Sequence, residues 1–353
     1  MTKDKSKERL LVLLQQGLPL EPRPFSRLGE LSGLTETEVL ELVGELLADG
    51  RARRLGGIFD AAGLGYRSVL CAAAVPEAGV AKAKDILATL PSVTHAYLRG
   101  WPEELPANHP ARLLDPYPAL WFTWSAPGTS FAAGFEALRE QMSPWPVLPL
   151  PAGRKFKIQV VFGNQAPLPA VSEDIDATPN GELPPFSDRD RLIVGELQGT
   201  LAPCADFYAP VATRCGLDET ELLARLTLWR RTGALRRIAL VLRHQRIGYK
   251  ANAMCVWPVD GIIAEQAGVV LSAFSDVTHC YQRPAFPGFP YSLYAMLHAK
   301  SWELLAHRFS ELEQATGLEG GKMLCSITEL KKTSMVFFGE EKLQPRMNAN
   351  ERK

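Results

Sequence analysis

The chain contains one sequence pattern twice. The segment RRLGGIF at 53–59, followed by LGYR at 64–67, returns as RRIALVL at 236–242, followed by IGYK at 247–250. Further on, VTHAYLR at 93–99 returns as VTHCYQR at 277–283. The copies are offset by 183 residues at the first block and by 184 at the last. A period this long is that of whole domains, so the sequence predicts a tandem duplication rather than a solenoid.

Each copy begins with a helical segment. In the first, a capping box at Thr35 and Glu38 precedes apolar residues at helical spacing from Val39 to Leu47. Three short helices followed by an arginine-rich strand are typical of a winged helix-turn-helix. We predict this unit at 1–60 and again at 187–243.

After the helices, each copy changes to a β-α-β-β-α-β order, which is typical of a ferredoxin-like unit. We predict these units at 61–163 and 244–345, with their last strands at 156–162 and 333–338. The segment 317–330 receives no assignment. Proline, asparagine and acidic residues predict a linker at 164–186. The predicted fold class is therefore α+β, as a tandem duplication.

Composition narrows the functional classes. Apolar residues make up 46% of the chain, charged residues make up 22%, and the formal net charge is zero. This balance argues against broad attraction to nucleic acid or to anionic membranes. The six cysteines form no Cys-x-x-Cys pair, so we expect reduced thiols. The sequence shows no signal peptide and no apolar stretch of membrane-spanning length, which predicts a cytoplasmic protein.

The order of elements resembles the Lrp/AsnC family of regulators. The motifs RRLGGIFDAAGLGYRS, THAYLRG, ALWFT and RKFKIQVVF are more specific, because they resemble the siroheme decarboxylases. Copy 1 is similar to the NirD-type subunit and copy 2 to the NirL-type subunit, with AhbA and AhbB as related pairs. The resemblance covers nearly the whole chain outside the linker and the tails.

The resemblance implies an activity. These carboxy-lyases remove carbon dioxide from the two acetate side chains on rings C and D of siroheme, which gives 12,18-didecarboxysiroheme. It also implies that no added cofactor is needed, since the iron arrives with the substrate. The fused architecture favours haem d1 biosynthesis over the alternative haem pathway. The expected partners are siroheme and either a second copy of the chain or NirG/NirH-type subunits.

The first candidate recognition helix argues against a DNA-binding regulator. Residues 35–50 contain five acidic residues and neither lysine nor arginine. A recognition helix lies in the major groove, where acidic residues would repel phosphate. We therefore predict no specific DNA binding. A non-catalytic sensor of haem-like or amino-acid ligands, or an Lrp-type regulator, is the alternative function.

Cationic side chains repeat in both copies and suit a substrate with many carboxylates. Arginine pairs with carboxylates through two parallel hydrogen bonds. The predicted substrate-binding cations are Arg53, Arg54, Arg67 and Arg99 in copy 1, and Arg236, Arg237, Lys250 and Arg283 in copy 2. Tyr66, Tyr249 and Trp121 are predicted to stack on the macrocycle, although a core role would explain them equally.

A histidine, a tyrosine and an arginine alternate in each copy. Residues two apart on a strand share a face, so His95, Tyr97 and Arg99 (row 1) are predicted to point one way. The same holds for His279, Tyr281 and Arg283 (row 2). We predict that the histidines and tyrosines are catalytic, with one of them donating a proton as carbon dioxide leaves. A histidine of either row is alternatively a ligand to the siroheme iron; the protein alone is expected to hold no metal.

The copies differ just after these rows. Copy 1 continues into a long proline-rich loop at 100–115 that contains Trp101, His109 and Arg112, whereas copy 2 has a short link at 284–290. We therefore predict that the copies are not equivalent and that one siroheme binds between them.

Overall fold

The computed structural model describes residues 3–114, 118–158, 186–243 and 248–339. Residues 164–185 of the predicted linker at 164–186, the strand residues 159–162 and the tail beyond residue 339 lie outside this part of the chain. In copy 1 the elements are α1 (Lys3–Gln16), α2 (Pro24–Ser32), α3 (Glu36–Ala48), β1 (Ala52–Phe59), β2 (Tyr66–Ala73), α4 (Val80–Thr89), β3 (Val93–Gly100), β4 (Leu120–Pro127), α5 (Phe131–Gln141), β5 (Val147–Leu150) and β6 (Lys155–Ile158). In copy 2 they are α6 (Asp188–Leu197), α7 (Ala209–Arg214), α8 (Glu219–Arg231), β7 (Leu235–Leu242), β8 (Ala251–Trp257), α9 (Gly261–Ala273), β9 (Val277–Gln282), β10 (Leu293–Ala299), α10 (Trp302–Thr316) and β11 (Lys322–Lys332).

The two helical units form one body. Strand β1 pairs with β7 in antiparallel fashion, so each wing strand has its partner in the other copy. A single hydrophobic cluster contains buried residues of both units, among them Phe25 and Phe207, whose rings meet at 5.4 Å. The Tyr208 hydroxyl donates to the Pro19 carbonyl across the copies at 2.8 Å. The two copies therefore pack together as a pseudo-dimer.

The capping box predicted at the start of α3 is present. The Thr35 hydroxyl accepts from the Glu38 N–H, and the Glu38 carboxylate accepts from the Thr35 N–H. Two of the acidic residues predicted to repel DNA form ion pairs, Glu36 with Arg23 and Glu38 with Lys3. DNA binding itself stays a prediction. None of the described helices is long and apolar enough to cross a membrane.

The remaining strands form one nine-stranded sheet in the order β5-β2-β4-β3-β11-β8-β10-β9-β6. Copy 1 supplies β5, β2, β4 and β3, and copy 2 supplies β11, β8, β10 and β9. Strand β6 of copy 1 pairs with β9 of copy 2, and β11 of copy 2 pairs with β3 of copy 1. Each copy therefore sends a strand across to the edge of the other.

The last strands differ from the prediction. In copy 1, β5 is the fourth strand that the copy adds to its own half of the sheet, and β6, which overlaps the start of the predicted 156–162 strand, instead crosses to copy 2. In copy 2 the prediction of a strand at 333–338 is wrong, because the last strand of the described residues is β11, which begins in the segment left unassigned and ends at Lys332. Strand β11 is long because its first half pairs with β8 and its second half with β3.

Lysines on the two crossing strands bind the ends of helices that pack on the sheet. The Lys331 ammonium of β11 donates to the carbonyls of Leu87, Ala88 and Leu90 at the end of α4. The Lys157 ammonium of β6 donates to Phe274 at the end of α9 at 2.7 Å. A cation at a helix C-terminus donates hydrogen bonds to carbonyls that have no partner within the helix. It also interacts favourably with the negative end of the helix dipole. The crossing strands therefore hold the two copies in one arrangement.

Apolar side chains fill much of the space between the copies. Trp121 and Leu150 of copy 1 cluster with Tyr294, Leu324 and Phe289 of copy 2. The long loop of copy 1 contributes buried residues at 105 and 111 to the copy 2 core, and the short link of copy 2 places Phe289 against Trp121 at 5.6 Å. The long loop of copy 1 thus covers part of copy 2, and the short link of copy 2 covers part of copy 1.

Candidate functional site

The two rows lie on equivalent strands, β3 and β9, each of which pairs with a strand that crosses from the other copy. His95 Nδ1 is 2.9 Å from the Thr94 hydroxyl, and His279 Nδ1 is 3.1 Å from the Thr278 hydroxyl. These contacts fix both rings in the same way and leave Nε2 of each for other partners. Both histidines keep a minor part of their surface accessible. The alternation of the sequence has therefore produced two similar imidazole sites.

Each row is completed by the strand that crosses from the other copy. Lys332 lies opposite His95 and Glu329 lies opposite Tyr97 on β11. The Tyr97 hydroxyl donates to the Glu329 carboxylate at 3.4 Å. At row 2, Lys155 on β6 lies opposite Tyr281. Neither copy alone therefore contains all the side chains that surround its row.

The histidines of the two rows interact electrostatically. Burial lowers the pKa of His95 to about 4, and Arg53, Lys332 and His279 contribute in the same direction. Burial likewise lowers the pKa of His279 to about 4, helped most by Arg236. Both imidazoles are thus neutral at pH 7. His279 itself makes the smallest of these contributions to the lowered pKa of His95.

Burial also raises the pKa of the phenol in each row. At Tyr97, Glu329 adds to the effect of burial while Arg99 opposes it. At Tyr281, Arg283 and Arg236 oppose the effect of burial. Both phenols are therefore hydroxyl donors at neutral pH, not phenolates.

The row arginines join the two copies. Arg99 Nη1 donates to the Leu324 carbonyl at 3.0 Å and to the Ser326 hydroxyl at 3.1 Å, and Nη2 lies 3.8 Å from the Met296 sulfur. Arg283 donates to the Leu150 carbonyl of copy 1 in the equivalent way. The guanidinium carbons lie 5.6 Å and 5.0 Å from the ring centres of Tyr97 and Tyr281. Both arginines have a structural role besides the carboxylate binding predicted for them.

The arginines of the wing strands β1 and β7 fall into two groups by their contacts. Arg53 Nη2 donates to the Ser334 hydroxyl at 3.1 Å, and Arg236 forms an ion pair with Asp60 of copy 1. Both contribute electrostatically to the row of their own copy. By contrast, Arg54 donates to the carbonyls of Gly57 and Gln198. Arg237 packs beside Gly17 at the end of α1 but is also among the cations that lower the pKa of His279.

Three residues that were predicted to bind the substrate instead contact other groups of the protein. Tyr66 packs against Phe337 at 5.1 Å, and its hydroxyl accepts from the Phe338 N–H. Trp121 is 1% exposed, and its indole donates to Pro118 at 2.6 Å. The Arg67 guanidinium is exposed over the Phe131 ring at 4.4 Å.

Three further positions lie outside the strands that carry the rows. Lys250 is exposed and Tyr249 is partly buried, both just before β8. His109 packs on Trp101 within the long loop at 5.4 Å, and its Nδ1 accepts from the Ala111 N–H. The structure thus gathers Arg53, Arg236 and Arg237 around the rows and leaves Arg67 at the surface.

Sequence reasoning missed the polar residues that reach the rows from elsewhere. These are Lys332, Glu329 and Lys155 on the crossing strands, and Asp60 and Arg243 at the ends of the wing strands. Asp60 and Arg243 are occupants of one repeat position, so aligning the two copies could have identified that pair. No pattern pointed to the crossing residues, because their strand pairing was not predicted.

The described part of the chain contains no cluster of three or more histidine, cysteine, aspartate or glutamate side chains that could hold a metal ion. The rows instead combine neutral imidazoles, phenols and guanidinium groups. Such a set can bind carboxylates, donate protons and ligate an iron atom that enters with a ligand.

Comparisons with known proteins agree with this chemistry. The model of the AsnC-like ligand binding domain matches residues 63–157 and 246–331, and that of the siroheme decarboxylase NirDL-like HTH domain matches residues 7–53. A siroheme decarboxylase of Hydrogenobacter thermophilus is 31% identical over 338 residues, which cover 95% of each chain. A siroheme decarboxylase NirDL subunit of Paracoccus denitrificans is 30% identical, over 85% of this chain and 87% of the relative.

Solved structures give the same result. The crystal structure of the siroheme decarboxylase NirDL matches with a TM-score of 0.69 and 27% identity, covering 95% of both chains. A second structure of NirDL, in complex with an iron-uroporphyrin III analogue, matches with a TM-score of 0.68 and 26% identity. These matches confirm the predicted α+β duplication and the predicted resemblance. The chain belongs to the siroheme decarboxylase family.

Proposed function

We propose that this protein removes carbon dioxide from the two acetate side chains on rings C and D of siroheme, giving 12,18-didecarboxysiroheme for haem d1 biosynthesis. Membership of the siroheme decarboxylase family supports the reaction class. The observation that carries the proposal is the presence of two equivalent His-Tyr-Arg rows, one in each copy, each next to a strand from the other copy and each with cations acting on its histidine. One flat ligand placed between the copies meets both rows.

The charge around the rows fits a polycarboxylate. Arg53 and Lys332 act on His95, and Arg236 and Arg283 act on His279. Without a ligand these cations oppose protonation of the imidazoles. A carboxylate that binds beside one of these sets of cations cancels that opposition, so the pKa of the neighbouring histidine rises when the substrate enters. An imidazolium therefore forms where its proton is needed.

The reaction requires one proton for each acetate. The bond between the methylene carbon and the carboxylate breaks, its electron pair stays with the tetrapyrrole, and carbon dioxide leaves. A proton then adds to that carbon, and the side chain becomes a methyl group. In this proposal His95 or His279 supplies the proton, and the neutral phenols of Tyr97 and Tyr281 hold the substrate by hydrogen bonds.

Ligation of the substrate iron is the second role open to the same histidines. Nε2 is the nitrogen left free for it, since Nδ1 is held by a threonine in both rows. The absorption spectrum of bound siroheme separates the roles. If His95→Gln and His279→Gln each leave the spectrum unchanged and slow turnover, the histidines are proton donors. If either shifts the spectrum, that histidine ligates the iron.

Anaerobic incubation of the purified chain with siroheme, followed by mass analysis, tests the proposal. We expect siroheme to lose two carbon dioxide molecules even when the protein has been dialysed against a chelator, because the reaction is proposed to need no added cofactor. The exposed His307→Gln is the matched control, since this residue lies on the outer helix α10. A binding spectrum without mass loss contradicts the enzyme and indicates a sensor.

We further propose that a second copy of the chain covers an apolar face of α9. Ile262, Ile263, Val269 and Val270 are exposed there by 37–76%, whereas no large apolar side chain on α4 or α5 is comparably exposed within the described residues. The only charged residue of α9, Glu265, pairs with Arg154. The patch covers on the order of 400 Å² per chain, so two such faces would supply the core of a standard interface.

The oligomeric state tests this contact. We expect a homodimer by light scattering, and a monomer for Ile262→Glu combined with Val269→Glu. Leu192→Glu, at an exposed leucine of α6, is the control and should remain dimeric. A wild-type monomer that forms a complex with a NirH-type subunit would assign the face to that partner instead.

A further inference from the structure

One pair of equivalent positions in the two copies carries opposite charges. Asp60 follows β1 and Arg243 follows β7. The Asp60 N–H donates to the Ala234 carbonyl at 2.9 Å, and the Arg243 N–H donates to the Arg51 carbonyl at 2.7 Å. These two bonds correspond under the repeat, because residue 234 stands 183 positions after residue 51. Asp60 and Arg243 therefore occupy one structural position next to one row each.

At row 2 this position is filled by an acid that binds the wing arginine. The Asp60 carboxylate forms an ion pair with Arg236 and also accepts from the N–H groups of Ala62 and Gly63, at 2.9 and 3.1 Å. Burial opposes the charge of Asp60, but Arg236 and the Gly63 N–H keep its pKa below the usual value. The guanidinium that would receive a ligand carboxylate at row 2 is already paired.

At row 1 the same position is filled by a second cation. Arg53 has no acidic group within ion-pair distance among the described residues, and its Nε is buried without a hydrogen-bond partner there. Burial and Arg243 both lower the pKa of Arg53. Arg53 acts on His95, and Arg243 repels Arg53, so these two guanidinium groups form a place for an anion. Arginine pairs with a carboxylate through a planar fork, so a carboxylate is the anion that fits best.

A second pair of equivalent positions also carries opposite charges. Here the acid is at row 1 and the cation at row 2, so the effect is opposite to that of Asp60 and Arg243, but it is weaker. Glu329 lies at row 1 where Lys155 lies at row 2. Glu329 makes its contacts with Tyr97 at 3.4 Å and Lys332 at 3.6 Å, and none with Arg53 at hydrogen-bond distance. Glu329 also acts on Arg53, but less than Arg243 does. Glu329 and Lys155, like Arg243, are at the surface, where solvent and salt screen their charge. A direct charge-assisted bond, such as that of Asp60 with Arg236, outweighs a screened charge at longer range.

We propose that the position shared by Asp60 and Arg243 decides which row takes a carboxylate of the tetrapyrrole. At row 1 the carboxylate binds between Arg53 and Arg243, next to His95. At row 2 Asp60 occupies the corresponding place and excludes it. This inference deepens the proposed function and rests on it only in that the ligand is a tetrapyrrole with several carboxylates.

Titration with iron-uroporphyrin III, followed by absorbance, tests the inference without turnover. The wild-type chain should bind one equivalent. Arg243→Asp places an acid beside Arg53, so the dissociation constant should rise at least tenfold. Asp60→Asn keeps an acceptor for the Ala62 and Gly63 N–H groups but releases Arg236, so a second equivalent should bind. The exposed Arg189→Asp makes the same charge change on α6 and should bind like the wild type.

The double variant Asp60→Asn/Arg243→Asp should move the ligand to row 2. Adding His279→Gln should then alter the affinity or the spectrum more than adding His95→Gln, and the order should be the reverse in the wild-type background. Unchanged affinity of Arg243→Asp, or two equal equivalents bound by the wild type, would overturn the inference. If the binding pattern holds but siroheme is not decarboxylated, the inference stands and the proposed function fails.

Discussion

Acid should destabilise the folded chain through its two buried row histidines. The pKa of His95 and of His279 is about 4 in the folded chain, against 6.5 for a free imidazole, because burial and nearby cations disfavour the charged ring. The unfolded chain therefore binds more protons between these values. The stability that the neutral rings contribute is fully present above pH 6.5 and is lost as the pH falls from 6.5 to 4.

The size of the effect follows from the depression of the pKa. A difference of one pKa unit corresponds to about 1.4 kcal/mol, so each histidine contributes at most about 3 kcal/mol to the free energy of unfolding. Both rings keep some accessible surface, which reduces the penalty for charging them. We therefore expect a loss of about 1–2 kcal/mol per histidine, or about 2–4 kcal/mol for the pair.

Urea unfolding at several pH values between 7.5 and 4 measures this loss. The wild-type chain should lose about 2–4 kcal/mol more than His95→Gln/His279→Gln over this range, since glutamine does not titrate. His307→Gln, whose side chain is 69% exposed, should follow the wild type. Carboxylates with a lowered pKa, such as Glu38 at about 2, titrate mostly at lower pH and affect all three proteins alike. Parallel curves for the wild type and the double variant would refute the reasoning.

The remaining predictions concern turnover, the joint between the copies and DNA. If row 1 takes the substrate carboxylate, His95→Gln should slow decarboxylation of siroheme by about 10²-fold or more and His279→Gln by less; equal losses would contradict this. Arg99→Met should lower the free energy of unfolding by about 2–3 kcal/mol, measured in urea, because Leu324 and Ser326 lose a charged donor. The two copies expressed separately should be poorly soluble, and two well-folded monomeric halves would contradict the shared core. The chain should select no defined DNA operator, with any affinity in the non-specific range of about 10⁻⁴–10⁻⁶ M.

Local sequence signals predicted the helices well. The capping box at Thr35 and Glu38 and the apolar spacing from Val39 to Leu47 predicted a helix, and α3 is found there. Such helix signals depend on neighbouring residues only.

The crossing strands were missed because their pattern is not local. Strand β11 pairs with β8 in its first half and with β3 in its second half. Its register shifts between Ser326 and Thr328 and again between Glu329 and Lys331. Each shift breaks the alternation of buried and exposed positions on which a strand prediction depends. The lysines at the end of β11 therefore looked like part of a loop in the sequence, and the last strand was predicted at 333–338, which is after its true position.

The histidine rows were predictable, but their surroundings were not. His95, Tyr97 and Arg99 follow the two-residue period of a strand within one short motif. Glu329, by contrast, meets Tyr97 from 232 residues away. Which charges stand next to each row is decided by the packing of the two copies, so the sequence alone left the rows looking alike.

Fusion of the two copies explains how one site can come to differ from the other. In a dimer of identical chains, any residue after the wing strand occurs at both symmetric positions, so an acid at one row implies an acid at the other. In a single chain these positions mutate independently, and here one is Asp60 and the other Arg243. The acid satisfies Arg236 at row 2, while the second arginine leaves row 1 open to a carboxylate. The shared core and the crossing strands keep both rows in place, so one copy can specialise in binding while the other supports it.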